Sequence, residues 1–435
     1  METTAAEEVT GICRDLLRID TTNTGDQSTT VGERVAAEYV AAKLDEAGVA
    51  YELHESAPRR ANLVARIPGA DRTRGALLVH GHLDVVPADA REWSVAPFSG
   101  EEKDGYLWGR GAIDMKDFDA MILAVVREWH RTGYVPPRDV VLAFTADEEA
   151  GMTYGSDFLV EKHRDLFDGC TEAIGEVGGY SYTVNDDLRL YLVQTAEKGL
   201  DWLRLHATGR PGHGSFIHDD NAVTKLAEAV ARIGNHRFPV VVTPTVREFL
   251  LRVGDALGID IDPEDPEVAI AKLGPIANLI GATIRNTANP TRLEAGYKDN
   301  VIPGRASATI DCRTLPGHEQ EFLKELREVI GPDVEIEHNH QQPAVETEFG
   351  GDLVDAMGAA LRAEDPGART VPYLMSGGTD AKAFSTLGIR CFGFAPLRLP
   401  PDLNFAALFH GIDERVPVEG LKFGVRVLDR LLRTS

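Results

Sequence analysis

The sequence predicts an α/β protein: a mostly parallel sheet with helices on both faces, interrupted by a smaller inserted α+β unit. Three observations carry this. Short, continuously apolar runs at 76–80 (ALLVH), 140–145 (VVLAFT) and 171–175 (TEAIG) alternate with longer stretches of helical period, the signature of strands buried on both faces. Near residue 196 the pattern changes. Residues 200–207 (LDWLRLHA) alternate apolar and polar, as a strand with one solvated face does. After residue 313 the α/β pattern resumes.

The elements follow in order. Helical periodicity covers about 5–18 and 31–47, the second closed by Gly48 in the position just past a helix end. A helix over about 116–131 stops near Gly133. Within the insert, a helix over about 222–233 precedes alternating strands at 292–298 and 305–313. A helix near 319–330, strands near 370–374 and 389–395, and a final helix at about 418–433 complete the chain. Residues 260–267 are acidic, contain two prolines and read as a surface loop. Residues 1–195 and 314–435 are therefore expected to form one domain and 196–313 the inserted one, in line with a prior of about 150 residues per domain.

Charge narrows the partners. Lys and Arg total 45 against 69 Asp and Glu, a net −24. So acidic a chain does not suit nucleic acid or an anionic membrane surface, which need a basic patch. A small anionic substrate needs only a few local arginines. No apolar run approaches the roughly 18 residues of a membrane span. The start, METTAAEEVTG, has neither basic residues nor an apolar stretch, so no secretory signal is expected. Cys13, Cys170, Cys312 and Cys391 are scattered without a CxxC pair. They suit small buried hydrophobes in a reducing cytoplasm rather than a thiolate metal site.

Several ionisable groups share one placement, directly after an apolar strand. His82 and Asp84 follow the first, Glu148 and Glu149 the second, Glu176 the third. Ligands bind at the carboxyl ends of strands in open α/β sheets. Four acids and a histidine gathered there need positive charge between them, and a divalent metal cluster supplies it. Singly, each has an ordinary structural reading. HxD is common, adjacent glutamates usually mark a solvated turn, Asp114 before a helix suits an N-cap, Glu176 can start a turn, and His410 is one of 13 histidines. Asp114 could also bridge two ions, since a carboxylate has two oxygens.

Jointly, HGHLDVVP (80–87), GRGAIDMK (109–116), ADEE (146–149), GEVGG (175–179) and HGIDER (410–415) resemble metallopeptidase family twenty, in order and over nearly the whole chain. That family takes in aminoacylases, succinyl-diaminopimelate desuccinylases, glutamate carboxypeptidase and carboxypeptidase S. HExxH is absent, which counts against a single-zinc protease of that kind. The resemblance implies a zinc-peptidase-like catalytic domain with an inserted ferredoxin-like lid or dimerisation domain. It implies two divalent ions per chain, zinc foremost, with Co²⁺ or Mn²⁺ able to take such sites. His82 and Glu176 would hold one ion, Glu149 and His410 the other, and Asp114 would bridge them. Asp84 would orient His82, and Glu148 would be the general base.

In the insert, His213 in GRPGHGS resembles the family's lid histidine, which stabilises the developing oxyanion, often across a dimer interface. Asn300 (NVIPG) and Arg313 (DCR) resemble residues that hold the substrate carboxylate, although Arg313 could equally pair with Asp311. Gly377, Gly378 and Thr379 of GGTD resemble the substrate-binding loop. The expected substrate is a dipeptide, a short peptide with a free C-terminus or an N-acyl amino acid, and the enzyme is a possible homodimer through the insert. The alternatives are a desuccinylase or deacetylase of a biosynthetic amino acid and a catalytically silent metal-binding scaffold. The scaffold should have lost the base or a ligand, and here every such position is filled.

Overall fold

The computed structural model describes residues 3–435. Two compact units divide the chain: the first takes in residues up to 195, 349–373 and 379–435, the second 196–348 and 374–378. In the first, strands Tyr51–Ala57, Arg60–Ile67, Val140–Thr145, Ala76–His82, Cys170–Gly175 and Arg390–Gly393 lie side by side in that order, with Leu188–Glu197 next. The central pairs are parallel: Val79 lies opposite both Leu142 and Ile174, and Phe392 opposite Ile174. The Tyr51–Arg60 edge is an antiparallel hairpin that also meets Val140–Thr145 antiparallel.

Alternate residues of these strands feed two different cores, as successive side chains on a strand must. Leu77, Val79, Leu142 and Phe144 pack with Val9, Leu16, Phe118, Met121 and Leu428 from helices Ala5–Leu17, Lys116–Thr132 and Val418–Thr434. Leu78, Val141, Ala143 and Ala173 pack with Leu159, Phe167 and Phe384 on the opposite face. Burial on both sides is why these strands read as continuous apolar runs. The expected helix stops are present too, with Gly48 at φ +60° and Gly133 at φ +64°.

The second unit is a four-stranded sheet in the order Thr287–Ala295, Arg305–Thr314, Gly199–Thr208, Val334–Gln342, antiparallel throughout. Helices Ala222–Asn235 and Glu319–Ile330 cover one face, where Leu203, Leu205, Leu226, Ile310, Phe322 and Leu326 form the core. The chain order βαββαβ with this strand order is the ferredoxin-like arrangement. Between the first helix and the second strand it carries helices Pro244–Leu257 and Pro266–Lys272, so part of the stretch read as a surface loop is helical.

One expected boundary moves. The second unit closes at 348, not 313. Helix Glu319–Ile330 packs in its core through Phe322 and Leu326, and Val334–Gln342 pairs along Gly199–Thr208. The helix after residue 313 looks in sequence like the α/β pattern resuming, and strand Val334–Gln342 is not among the expected elements; their packing partners assign both to the second unit.

Candidate metal centre

The three parallel strands Val140–Thr145, Ala76–His82 and Cys170–Gly175 end along one edge of the first unit, with His82 level with Thr145. His82 is the last residue of its strand, Glu176 follows the end of its own, and Asp147 opens the turn Glu148–Ala150. His410 comes from the far end of the sequence, at φ +56° in the loop before strand Arg415–Pro417.

The side chains converge. Ligand atoms of His82, Asp114 and Glu176 lie within 4.8 Å of one another, and so do those of Asp114, Glu149 and His410. Asp114 belongs to both groups through different oxygens: Oδ1 is 3.0 Å from His82 Nε2 and Oδ2 is 3.2 Å from His410 Nε2. His410 Nε2 is 2.9 Å from Glu149, and His82 Nε2 is 3.5 Å from Glu176. The N-cap alternative for Asp114 is not realised, since Met115 occupies that position and no side chain caps the helix there. Glu148 belongs to neither group. Its Oε2 is 3.9 Å from His82 Nε2, and its carboxylate accepts no hydrogen bond from the described residues.

The electrostatics are those of an acidic cluster short of positive charge. Burial and then the charge of Asp114 push Glu149 up to about 7 against the pull of His410. Burial pushes Glu176 up to about 8 despite His82. Burial and the neighbouring Glu176 raise Glu148 well above the carboxylate range. Hydrogen bonds to Asp114 and Glu149 lift His410 to about 10. Burial disfavours the His82 imidazolium, but Glu176, Asp114 and Asp84 outweigh it and hold its pKa high. Nitrogen and carboxylate donors in two groups sharing one bridging acid fit a pair of divalent ions.

Behind the cluster lies a buried polar network. His82 Nδ1 is 3.0 Å from the carbonyl oxygen of Asp84 and 3.4 Å from its carboxylate. A donor hydrogen at Nδ1 leaves Nε2 with its lone pair facing the site. The Asp84 carboxylate mainly accepts other bonds, from the backbone N–H of Glu148 and Glu149 and from Asn23 Nδ2. Asn23 also donates to Asp147, which takes Arg60 Nη2 at 2.8 Å, while Arg60 forks onto Glu33. Asp380 accepts the hydroxyls of Thr145 and Ser156. Sequence reasoning passed over Asn23, Glu33, Arg60, Asp147 and Asp380, though the last two stand inside ADEE and GGTD.

The remaining expected residues are dispersed. In the second unit, His213 and Asn300 are neighbours: Gly212–His213 pairs with Val301–Ile302, and Gly214 N–H donates to the Asn300 carbonyl at 3.0 Å. Arg313 sits near the far end of strand Arg305–Thr314, with its guanidinium on Asp311 at 2.7 and 3.1 Å. Its side chain is thus engaged as the structural alternative expected. Gly377 and Gly378 lie in the short stretch 374–378 assigned to the second unit. Thr379 is buried in the first, and its hydroxyl accepts the N–H of Ala381.

Residues 78–434 match peptidase family M20/M25/M40, and the chain belongs to that family of metal-dependent hydrolases. Among curated relatives it is 29% identical to probable carboxypeptidase S-like 2 of Dictyostelium discoideum, over 83% of this chain and 72% of that one. It is 27% identical to human aminoacylase-1, over 88% and 86%. The fold matches the M20 metallo-carboxypeptidase Sso-CP2 of Sulfolobus solfataricus at TM-score 0.74 and 19% identity, over 98% and 99%. It also matches the Bacillus subtilis YXEP protein, a dinuclear metal-binding peptidase of the M20 family, at TM-score 0.61 and 16% identity, over 99% and 98%.

Proposed function

We propose that the chain is a dizinc hydrolase that cleaves the amide bond next to an amino-acid carboxylate, in a dipeptide, a short peptide C-terminus or an N-acyl amino acid. The observation that carries this is Asp114 turning one oxygen to His82 and the other to His410. His82 and Glu176 would hold one ion, Glu149 and His410 the other, with Asp114 between. When bound, the ions would supply water of lowered pKa and electrophilic stabilisation of the amide oxygen. Glu148, half-buried beside the first group yet in neither, would take the proton from the attacking water and return it to the leaving amine.

The second unit supplies the rest of the reading. His213 would donate to the developing oxyanion, with Asn300 beside it on the substrate. Gly377, Gly378 and Thr379 would line the carboxylate side, and Arg313 would act there only by leaving Asp311. The unit is taken as a lid that also dimerises. The relatives named for carboxypeptidase S and aminoacylase activity support this substrate class. The scattered cysteines of the sequence, without a CxxC pair, support a reducing compartment, the cytoplasm, and among the described residues no helix is long and apolar enough to cross a membrane. A turnover screen of zinc- and cobalt-loaded protein over dipeptides and N-acyl amino acids tests the reading. Activity confined to succinylated or acetylated biosynthetic amino acids would replace it with the desuccinylase alternative.

A further inference from the structure

Of the five ligand candidates, His410 has the least to hold it. Its side chain is 56% exposed, its φ is positive, and its imidazole is met only by Asp114 and Glu149 among the described residues. The loop that carries it is nonetheless tied to the loop that carries Asp114, through one buried ion pair. Glu414 is wholly buried. Its Oε1 accepts the N–H of Ile113 at 2.9 Å, and its Oε2 accepts the N–H of Gly111 at 3.1 Å and Arg110 Nη1 at 2.7 Å. Arg110 Nη2 then reaches the carbonyls of His410 and Pro87, each at 3.4 Å. The Glu414 carbonyl accepts the N–H of Gly109, and a short antiparallel ladder, Arg415 with Trp108 and Val416 with Leu107, continues the join.

A buried ion pair is a poor device for stability alone, because desolvation offsets most of its Coulomb gain and apolar residues of equal volume often serve as well. What an apolar pair cannot do is accept two backbone N–H groups on one loop while fixing a carbonyl on another. The arrangement therefore points to registration of two segments. Asp114 keeps one anchor independent of it, His82 at 3.0 Å. His410 has no comparable support.

We propose that Glu414, with Arg110, is a positioning residue that places His410 against Asp114 and so sets occupancy of the Asp114–Glu149–His410 position, while the His82–Asp114–Glu176 position stays near its normal affinity. This rests on the two-metal reading above. The test is a chelator competition on zinc-loaded wild type, Glu414→Gln and Arg110→Lys, counting ions per chain by elemental analysis, with His410→Ala as the reference for loss of that position. The expected result is that Glu414→Gln gives up one ion at a chelator concentration at least tenfold lower than wild type and keeps the other at the wild-type value. Arg110→Lys, which retains a charge for Glu414 but not the fork, should do the same to a smaller extent. Unchanged release of both ions, or parallel weakening of both, as a general loss of structure would give, overturns the proposal. Should Glu414→Gln not fold, Arg110→Lys decides by the same criteria. A wild type that holds fewer than two ions at saturation instead brings down the two-metal reading.

Discussion

The carboxylate of Asp84 accepts the backbone N–H of Glu148, Oδ1 to N 3.1 Å. Its other oxygen takes the N–H of Glu149 at 3.2 Å. One buried acid thus fixes the turn from which two adjacent glutamates leave in different directions, Glu148 toward His82 and Glu149 toward His410. Adjacent residues can be given different work only if the backbone between them is held, and this carboxylate holds it.

Glu148→Gln should therefore keep both metals and the fold while turnover falls by roughly 10²–10⁴, the usual contribution of a general base. Glu149→Gln should lose or weaken one ion. Metal content and kcat measured on the same preparations separate the two, and matching metal loss in both variants would falsify the division.

Arg60 is the cation of the network behind this turn, buried between Glu33 and Asp147. Arg60→Met should lower stability by about 3–5 kcal/mol, because removing one partner strands the others in the interior. Arg60→Met combined with Glu33→Gln should recover part of that loss. Denaturant midpoints test this, and strictly additive losses in the double variant would show that the two residues are not coupled.

Metal and pH should be linked with a definite sign. In the metal-free site Glu149 and Glu176 have pKa values raised to about 7 and about 8, and His410 to about 10. A raised folded-state pKa means that the native state binds protons the unfolded chain has given up, so stability falls as pH rises through that interval. For the two glutamates the loss begins near 4.5 and is complete near 8; for His410 it begins near 6.5 and runs to about 10. The metal-free protein should thus lose stability between about pH 5 and 8, and the thermal shift on adding zinc should grow over the same range. Zinc binding at pH 7 should release protons, read by calorimetry in buffers of different ionisation enthalpy. A pH-independent shift, or proton uptake, would contradict the assignment.

If the second unit brings His213 to a partner's site, mixing His213→Ala with Glu148→Gln should restore activity. One site of a mixed dimer then carries both lesions and the other neither. No recovery after demonstrated subunit exchange would mean that His213 acts within its own chain or not at all.

The ligand candidates were legible because each stands directly after a buried strand or inside a short motif, so position along the chain already implies position in space. The supporting residues were not. Arg60 meets Glu33 and Asp147 from 27 and 87 residues away, and Glu414 meets Gly111 from 303. No local pattern encodes such partners. The sequence suggests that the Asp84 carboxylate orients His82, but the Asp84 carbonyl oxygen lies nearer His82 Nδ1, at 3.0 Å against 3.4 Å for the carboxylate, and the carboxylate's bonds to the Glu148 and Glu149 amides depend on the left-handed turn at Asp147, φ +66°. Helix Pro244–Leu257 did leave a signal, Thr243 capping the N–H of Val246 with Pro244 at the first position.

The number of metal ions bound at saturation decides most directly whether Asp114 bridges two of them. Elemental analysis of zinc-reconstituted wild type, with turnover on an N-acyl amino acid or dipeptide followed on the same sample, should give two ions per chain, with activity rising as the site fills. Full activity at one ion per chain, or saturation at one, would contradict the bridging role.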